Sequence, residues 1–299
     1  MRPTLALGSA LSLGLQASQA VALPVQESSK VCHFEERNVL ARATSSQSSP
    51  VKRQATWDPP AELVTPLQEV WDHEMETYTD PLGFTNYGYD QVIDGEGAIN
   101  YCVRWDSSSN VSAEQRSSVE SALQRSFNKW IEVLAGFDGF PYDEVAIKVV
   151  GWAVRDQSLL DGDVSDVDVY TTTDAEGIPQ CDEGCGRFFH QDGDYSACEG
   201  GAERHYDQSL WLTDGFEGGA GGDWGQRLSQ EEYMSSLDGD NHIYLHEVGH
   251  TFALDDFYDW TPTGVTNFIM LAGSATNITD FDAWMARDWW RNLKSRYDL

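Results

Sequence analysis

Two histidines four residues apart, His246 and His250, with Glu247 directly after the first and Asp256 six residues after the second, are the residues of this chain whose types and spacing point most directly to chemistry. On a helix, side chains at i and i+4 stand one turn above each other on the same face, so both imidazoles reach a single ion at about 2.0–2.1 Å. A carboxylate next to the first histidine lies beside that ion, where it can take a proton from an attacking water and later hand it to a leaving amine. The flanking residues 241–245 and 251–254 are apolar enough to bury the segment as a helix, with Asp240 or Asn241 as its N-cap. A buried His-Glu-His cluster is costly without an ion, so the spacing predicts a zinc site.

A tetrahedral zinc that keeps one position for water needs a third protein ligand. His242 is unsuitable: it precedes His250 by eight residues, about 12 Å along a helix rising 1.5 Å per residue. The third ligand is expected from beyond the helix, and Asp256 fits a helix that ends near Ala253 and turns back towards the ion, with Asp255 pointing elsewhere. The plainer reading makes Asp255, Asp256 and Asp259 a cluster of solvated acids.

The pattern His246, Glu247, His250, Asp256 resembles the metzincin metallopeptidases, in the branch whose extended motif closes on aspartate. Ala253 departs from the family, which has glycine there; a left-handed backbone at that position costs a residue with a Cβ about 1–2 kcal/mol. The resemblance also implies a tight turn carrying a methionine beneath the metal, and Met270, in the run 268–274, is the match. Ala272 stands where some branches place an additional tyrosine ligand. The likeness covers 244–274 in motif and, more loosely in layout, the chain from about residue 99. It implies an α+β domain with a twisted mixed sheet, an active-site helix and a C-terminal helix, one catalytic Zn2+ held by His246, His250 and Asp256, Glu247 as general base, and a protein or peptide substrate.

The start of the chain has the three parts of a secretory signal peptide over 1–20: Arg2, an apolar run over 5–15, and small residues around Ala17 and Ala20. That run is too short to span a bilayer. Residues 21–53 are Ser-rich and end in Lys52-Arg53, the pattern of a propeptide with a dibasic processing site, which leaves 54–299 as the metallopeptidase domain of a secreted, extracellular protein. Asn110 and Asn277 head glycosylation acceptor triplets.

Of five cysteines, Cys32 falls in the propeptide, and Cys102, Cys181, Cys185 and Cys198 in the mature domain. In an oxidising compartment those four form two disulfides, by one of three pairings. The competing reading is a second zinc site built from Cys181, Cys185, Cys198 and His190 or His205. Cys32 is a candidate latency switch, a thiolate closing the catalytic site as in the cysteine-switch metzincins, although Val31, His33 and Phe34 around it do not reproduce that motif.

Six of the 19 basic and three of the 49 acidic residues fall in 1–53, which leaves 13 and 46 and a formal charge of −33 on the mature domain. So acidic a surface excludes nucleic acid and anionic membranes as partners, and the protein is expected to be a monomer. Asp161, Asp163, Asp166 and Asp168, and Asp192 with Asp194, invite a Ca2+ reading, but neither run has the spacing of an EF-hand loop, and both read as solvated loops.

The elements that must position the site follow from periodicity. Residues 99–105 read as a strand; Ser112 with Gln115 forms a capping box opening a helix with Val119, Leu123, Phe127, Trp130, Ile131 and Leu134 on one face; 145–154 reads as a second strand, parallel to the first and joined by a right-handed crossover. The stretch 155–228 is loop-rich, with 209–214 its clearest strand, which reads either as an ordinary sheet strand or, as the resemblance implies, as the edge of the cleft where extended substrate adds to the sheet. Residues 218–225 are too glycine-rich for regular structure and read as a rim loop. A last helix is predicted from about 279 to 297, capped by Thr279 with Asp282, burying Phe281, Trp284, Met285, Trp289 and Leu293 and carrying basic residues towards its end. The sequence thus reads as a secreted zinc endopeptidase. The other reading, a secreted polysaccharide- or wall-binding protein with a structural metal, leaves Glu247 without a purpose.

Overall fold

The computed structural model describes residues 55–299. The segments read as a signal peptide and a propeptide, with Cys32 and the Lys52-Arg53 pair, lie outside the described residues. What is described is an α+β arrangement of six α-helices on a six-stranded mixed sheet of order β3-β2-β1-β4-β6-β5. Strands β1 (Ala98–Asp106), β2 (Ala146–Val154), β3 (Asp168–Tyr170), β4 (Gln208–Thr213) and β6 (Gly225–Ser229) run parallel, and only β5 (Gly219–Gly222), at one edge, is antiparallel to its neighbour. No helix among the described residues is long and apolar enough to cross a membrane.

The predicted strand-helix-strand unit is present. Helix α3 (Ala113–Leu134) opens on a reciprocal cap in which Ser112 Oγ accepts from Gln115 N–H and Gln115 Oε1 accepts from Ser112 N–H. Its apolar face lies against the sheet and against α5 (His242–Thr251) and α6 (Asp280–Leu293). Alternation along β1 sorts the two faces of the sheet: Tyr101, Val103 and Trp105 enter this main core, whereas Cys102 joins a smaller cluster on the other face with Val150, Ala153, Tyr206 and the remaining cysteines.

Cys102–Cys181 and Cys185–Cys198 are disulfides, which selects one of the three pairings and removes the second zinc site, because none of those sulfurs is left as a thiolate. The loops they staple carry the acidic runs, whose carboxylates cap their own turns: Asp163 accepts from Ser165 N–H and Asp194 from Ser196 N–H.

Two expectations about the sheet are corrected. Strand β4 is central, flanked by β1 and β6, and is not the edge of the cleft. The glycine-rich run 218–225 is no loop; it forms β5 and the start of β6, with Gly225 at φ 125° in the tight connection. Glycine is disfavoured in a strand unless something approaches closely, and here α5 does.

Three helices were not anticipated. Helix α1 (Ala61–Thr77) contains Pro66 and buries Glu74, which blurs its apolar period; α2 (Gly88–Asp94) and α4 (Gln230–Ser235) are short.

Candidate metal centre

Helix α5 is short, largely buried, and fixed at both ends. Asn241, and not Asp240, is its N-cap, accepting from Tyr244 N–H at 2.8 Å. Trp130 Nε1 of α3 donates to Leu245 O, tying the helix to the core. The last turn closes through Ala253 N–H to His250 O and Leu254 N–H to Gly249 O, the paired bonds of a Schellman motif, with Ala253 at φ 64°. The helix therefore ends at Thr251, two residues before the position read from sequence, and Ala253 adopts the left-handed conformation that turns the chain back.

That turn brings Asp256 to both histidines. Its Oδ1 lies 3.0 Å from His246 Nε2 and 3.5 Å from His250 Nε2. Each ring is oriented from behind by a backbone carbonyl: His246 Nδ1 contacts Ile269 O at 2.8 Å and His250 Nδ1 contacts Leu254 O at 2.7 Å. A carbonyl only accepts, so both Nδ1 atoms carry their proton, and in the neutral form of the rings the two Nε2 lone pairs face one carboxylate oxygen. Two lone pairs facing an anion repel unless a cation lies among them. Tetrahedral ligands on bonds of about 2.0–2.1 Å stand about 3.3 Å apart, and the two observed separations bracket that value.

His246, Glu247 and His250 have ligating atoms within 4.8 Å of one another, so the group can hold a metal ion. Glu247 and Asp256 differ in how they face it. Glu247 Oε2 is 3.8 Å from His250 Nε2, whereas Asp256 meets both rings at shorter range. Asp256 therefore lies closer to both rings than Glu247 does, although the metal-capable group is that of His246, Glu247 and His250. Burial alone would raise the Asp256 carboxyl; positive charge on the two imidazoles, the part a bound cation would take over with neutral rings, outweighs it and holds the group well below the usual carboxylate range.

Beneath the site, Met270 is fully buried, and a Cβ on Gly249 would collide with its sulfur. Leu271 N–H donates to Phe268 O, closing the tight turn expected around the methionine. Asp282 of α6 holds that turn, accepting from Ile269 N–H at 2.9 Å and Met270 N–H at 3.2 Å while completing the Thr279 capping box. Burial raises the Asp282 carboxyl, and these donors oppose the shift without cancelling it. The sequence marked Asp282 as a cap and missed its grip on the methionine turn.

Above the site lies β5. Glu247 is fully buried, and a Cβ on Gly219 would come within 2.7 Å of its Cδ and 2.8 Å of its Cγ; one on Gly221 would meet the Glu247 backbone. The strand rests directly on the glutamate because it has no side chains there. Thr251 Oγ1 donates to Gly222 O, and Gln226 Nε2 donates to Thr251 Oγ1 at 3.0 Å, so the helix end and the strand pair are joined.

From the other side, the end of α1 reaches the turn that carries Asp256. Tyr78 O–H donates to Asp255 Oδ2 at 2.9 Å, and Asp255 Oδ1 accepts from Asp256 N–H at 2.9 Å. The buried Glu74 carboxyl is raised well above its ordinary value by burial and by the Asp255 charge, although it accepts a hydrogen bond from the Asp255 backbone. No local signal in the sequence announced Tyr78 or Glu74, which sit about 180 residues from the turn they touch.

No protein-family model matches this chain, and no curated protein matches it at a significant level.

Proposed function

We propose that the protein is a secreted, zinc-dependent endopeptidase of the metzincin kind. The observation that carries the reading is the convergence of His246 Nε2 and His250 Nε2 on one oxygen of Asp256, with both Nδ1 atoms committed to carbonyls, beside a buried Glu247 that is not needed to complete the ligand set. Two imidazoles and one carboxylate are a zinc donor set that leaves a position open. Zinc bound there would supply a Lewis acid that polarises a peptide carbonyl and acidifies a water.

The chain's own groups do the rest. His246, His250 and Asp256 fix the ion's position, and the Ile269 and Leu254 carbonyls keep the two rings in the ligating tautomer. Glu247 takes the proton of the attacking water on its carboxylate and delivers it to the departing amine nitrogen. The rim over Glu247 is the antiparallel edge strand β5, and its position at the end of the sheet order supports assigning it the strand-addition role first given to residues 209–214.

The test is cleavage of an unfolded protein by the purified mature protein. Hydrolysis abolished by a chelator and restored by Zn2+ is expected. Chelator-insensitive hydrolysis, or none with zinc loaded, overturns the proposal.

A further inference from the structure

Helix α1 packs along the chain that carries the third ligand through one face. Glu69 accepts from both the N–H and the O–H of Thr263 at 2.7 Å; the His73 ring lies 4.7 Å from that of Trp260; Tyr78 O–H reaches Asp255. The other face anchors α1 to the body, with Trp71 packed edge-on against Trp289 of α6 at 5.3 Å. The loop needs such a hold, since its entry through a left-handed alanine is strained by about 1–2 kcal/mol.

The contact nearest the site has a definite logic. One Asp255 oxygen takes the Tyr78 O–H, the other takes the Asp256 N–H, and Asp256 then turns its own Oδ1 onto His246 and His250. We propose that Tyr78 is a positioning residue for the third metal ligand, acting through the Asp255 carboxylate. It does two things: it orients the backbone that presents Asp256, and it holds the neighbouring acid away from the ion. Two adjacent carboxylates on a turn otherwise compete for one coordination position. The inference rests on the reading of Asp256 as a zinc ligand.

The test uses Tyr78→Phe, which removes one oxygen and keeps the ring, alongside Asp255→Ala, the double variant and Asp256→Ala. Zinc affinity is measured by competition with a chromophoric chelator, and the Co2+-substituted proteins are compared by their visible absorption. Tyr78→Phe should bind zinc about tenfold more weakly, the lower end for partners that orient a ligand, and shift the Co2+ spectrum. In the Asp255→Ala background the same change should have no further effect, because the relay is already cut. Zinc affinity of Tyr78→Phe within twofold of wild type, or an undiminished loss in the Asp255→Ala background, overturns the inference. Wild-type protein that takes up no zinc overturns the metal reading itself, and Asp256→Ala that binds zinc as well as wild type overturns the ligand assignment; either result takes the inference with it.

Discussion

Replacing Gly219 with alanine adds one methyl group directly over the proposed base. Gly219 is not among the residues at positive φ, so alanine meets no backbone penalty and the consequence comes from contact alone. The new carbon would stand 2.7 Å from Glu247 Cδ and 2.8 Å from Cγ, against about 3.5 Å for an ordinary carbon contact. Neither partner yields easily, since Glu247 is fully buried and Gly221 presses on its backbone. Either β5 lifts or the carboxylate moves, by roughly 1 Å, at a cost of about 1–3 kcal/mol for an overpacked site. A displacement of that size at a reacting group lowers turnover by about 100-fold. The assay is kcat on a peptide substrate, metal content, and thermal unfolding, with Gly239→Ala as control, because a Cβ there meets only Ser236 O at 3.9 Å. Gly219→Ala should keep its zinc and unfold a few degrees lower. A kcat within twofold of wild type would refute the placement of β5 on Glu247.

Ala253→Gly should stabilise the protein by about 0.5–1 kcal/mol, the strain relieved at φ 64° less the larger chain entropy of glycine; a lowered melting temperature counts against the left-handed turn. Asp288 of α6 is raised by burial to about 6, despite the Arg291 guanidinium 2.7 Å from its carboxylate. The folded state then holds the proton more tightly than the unfolded chain, so this group makes stability fall as pH rises from about 4 to about 6. Asp288→Asn should therefore gain stability relative to wild type above pH about 6 and not below pH about 4, as read by denaturant melts at both ends; a pH-independent difference refutes the shift.

The parts of the fold that were legible are those in which local signals agree. The Ser112–Gln115 and Thr279–Asp282 caps, the 3.6-residue period of α3, and the apolar runs of β1 and β2 all lie within one element, and each forms there. The two histidines and Glu247 were legible for the same reason, since one turn of helix fixes their geometry. Strand β5 was not, because its glycines answer to a long-range contact with Glu247 that no local pattern expresses. The disulfide Cys102–Cys181 closes 79 residues of chain and likewise depends on tertiary placement. Helix α1 was hidden by Pro66 and by Glu74, a buried carboxyl where the period calls for an apolar residue. Tyr78 and Asp255 became meaningful only once α1 was seen against the ligand turn.

The central claim is that His246, His250 and Asp256 hold zinc while Glu247 does chemistry without holding it. Metal content and peptidase activity measured together on wild type and on Glu247→Gln test it most directly. About one zinc per chain is expected in both proteins, with activity in the variant reduced at least about 100-fold, the range for loss of a general base. Undiminished turnover in Glu247→Gln, or loss of the metal along with the activity, would contradict it.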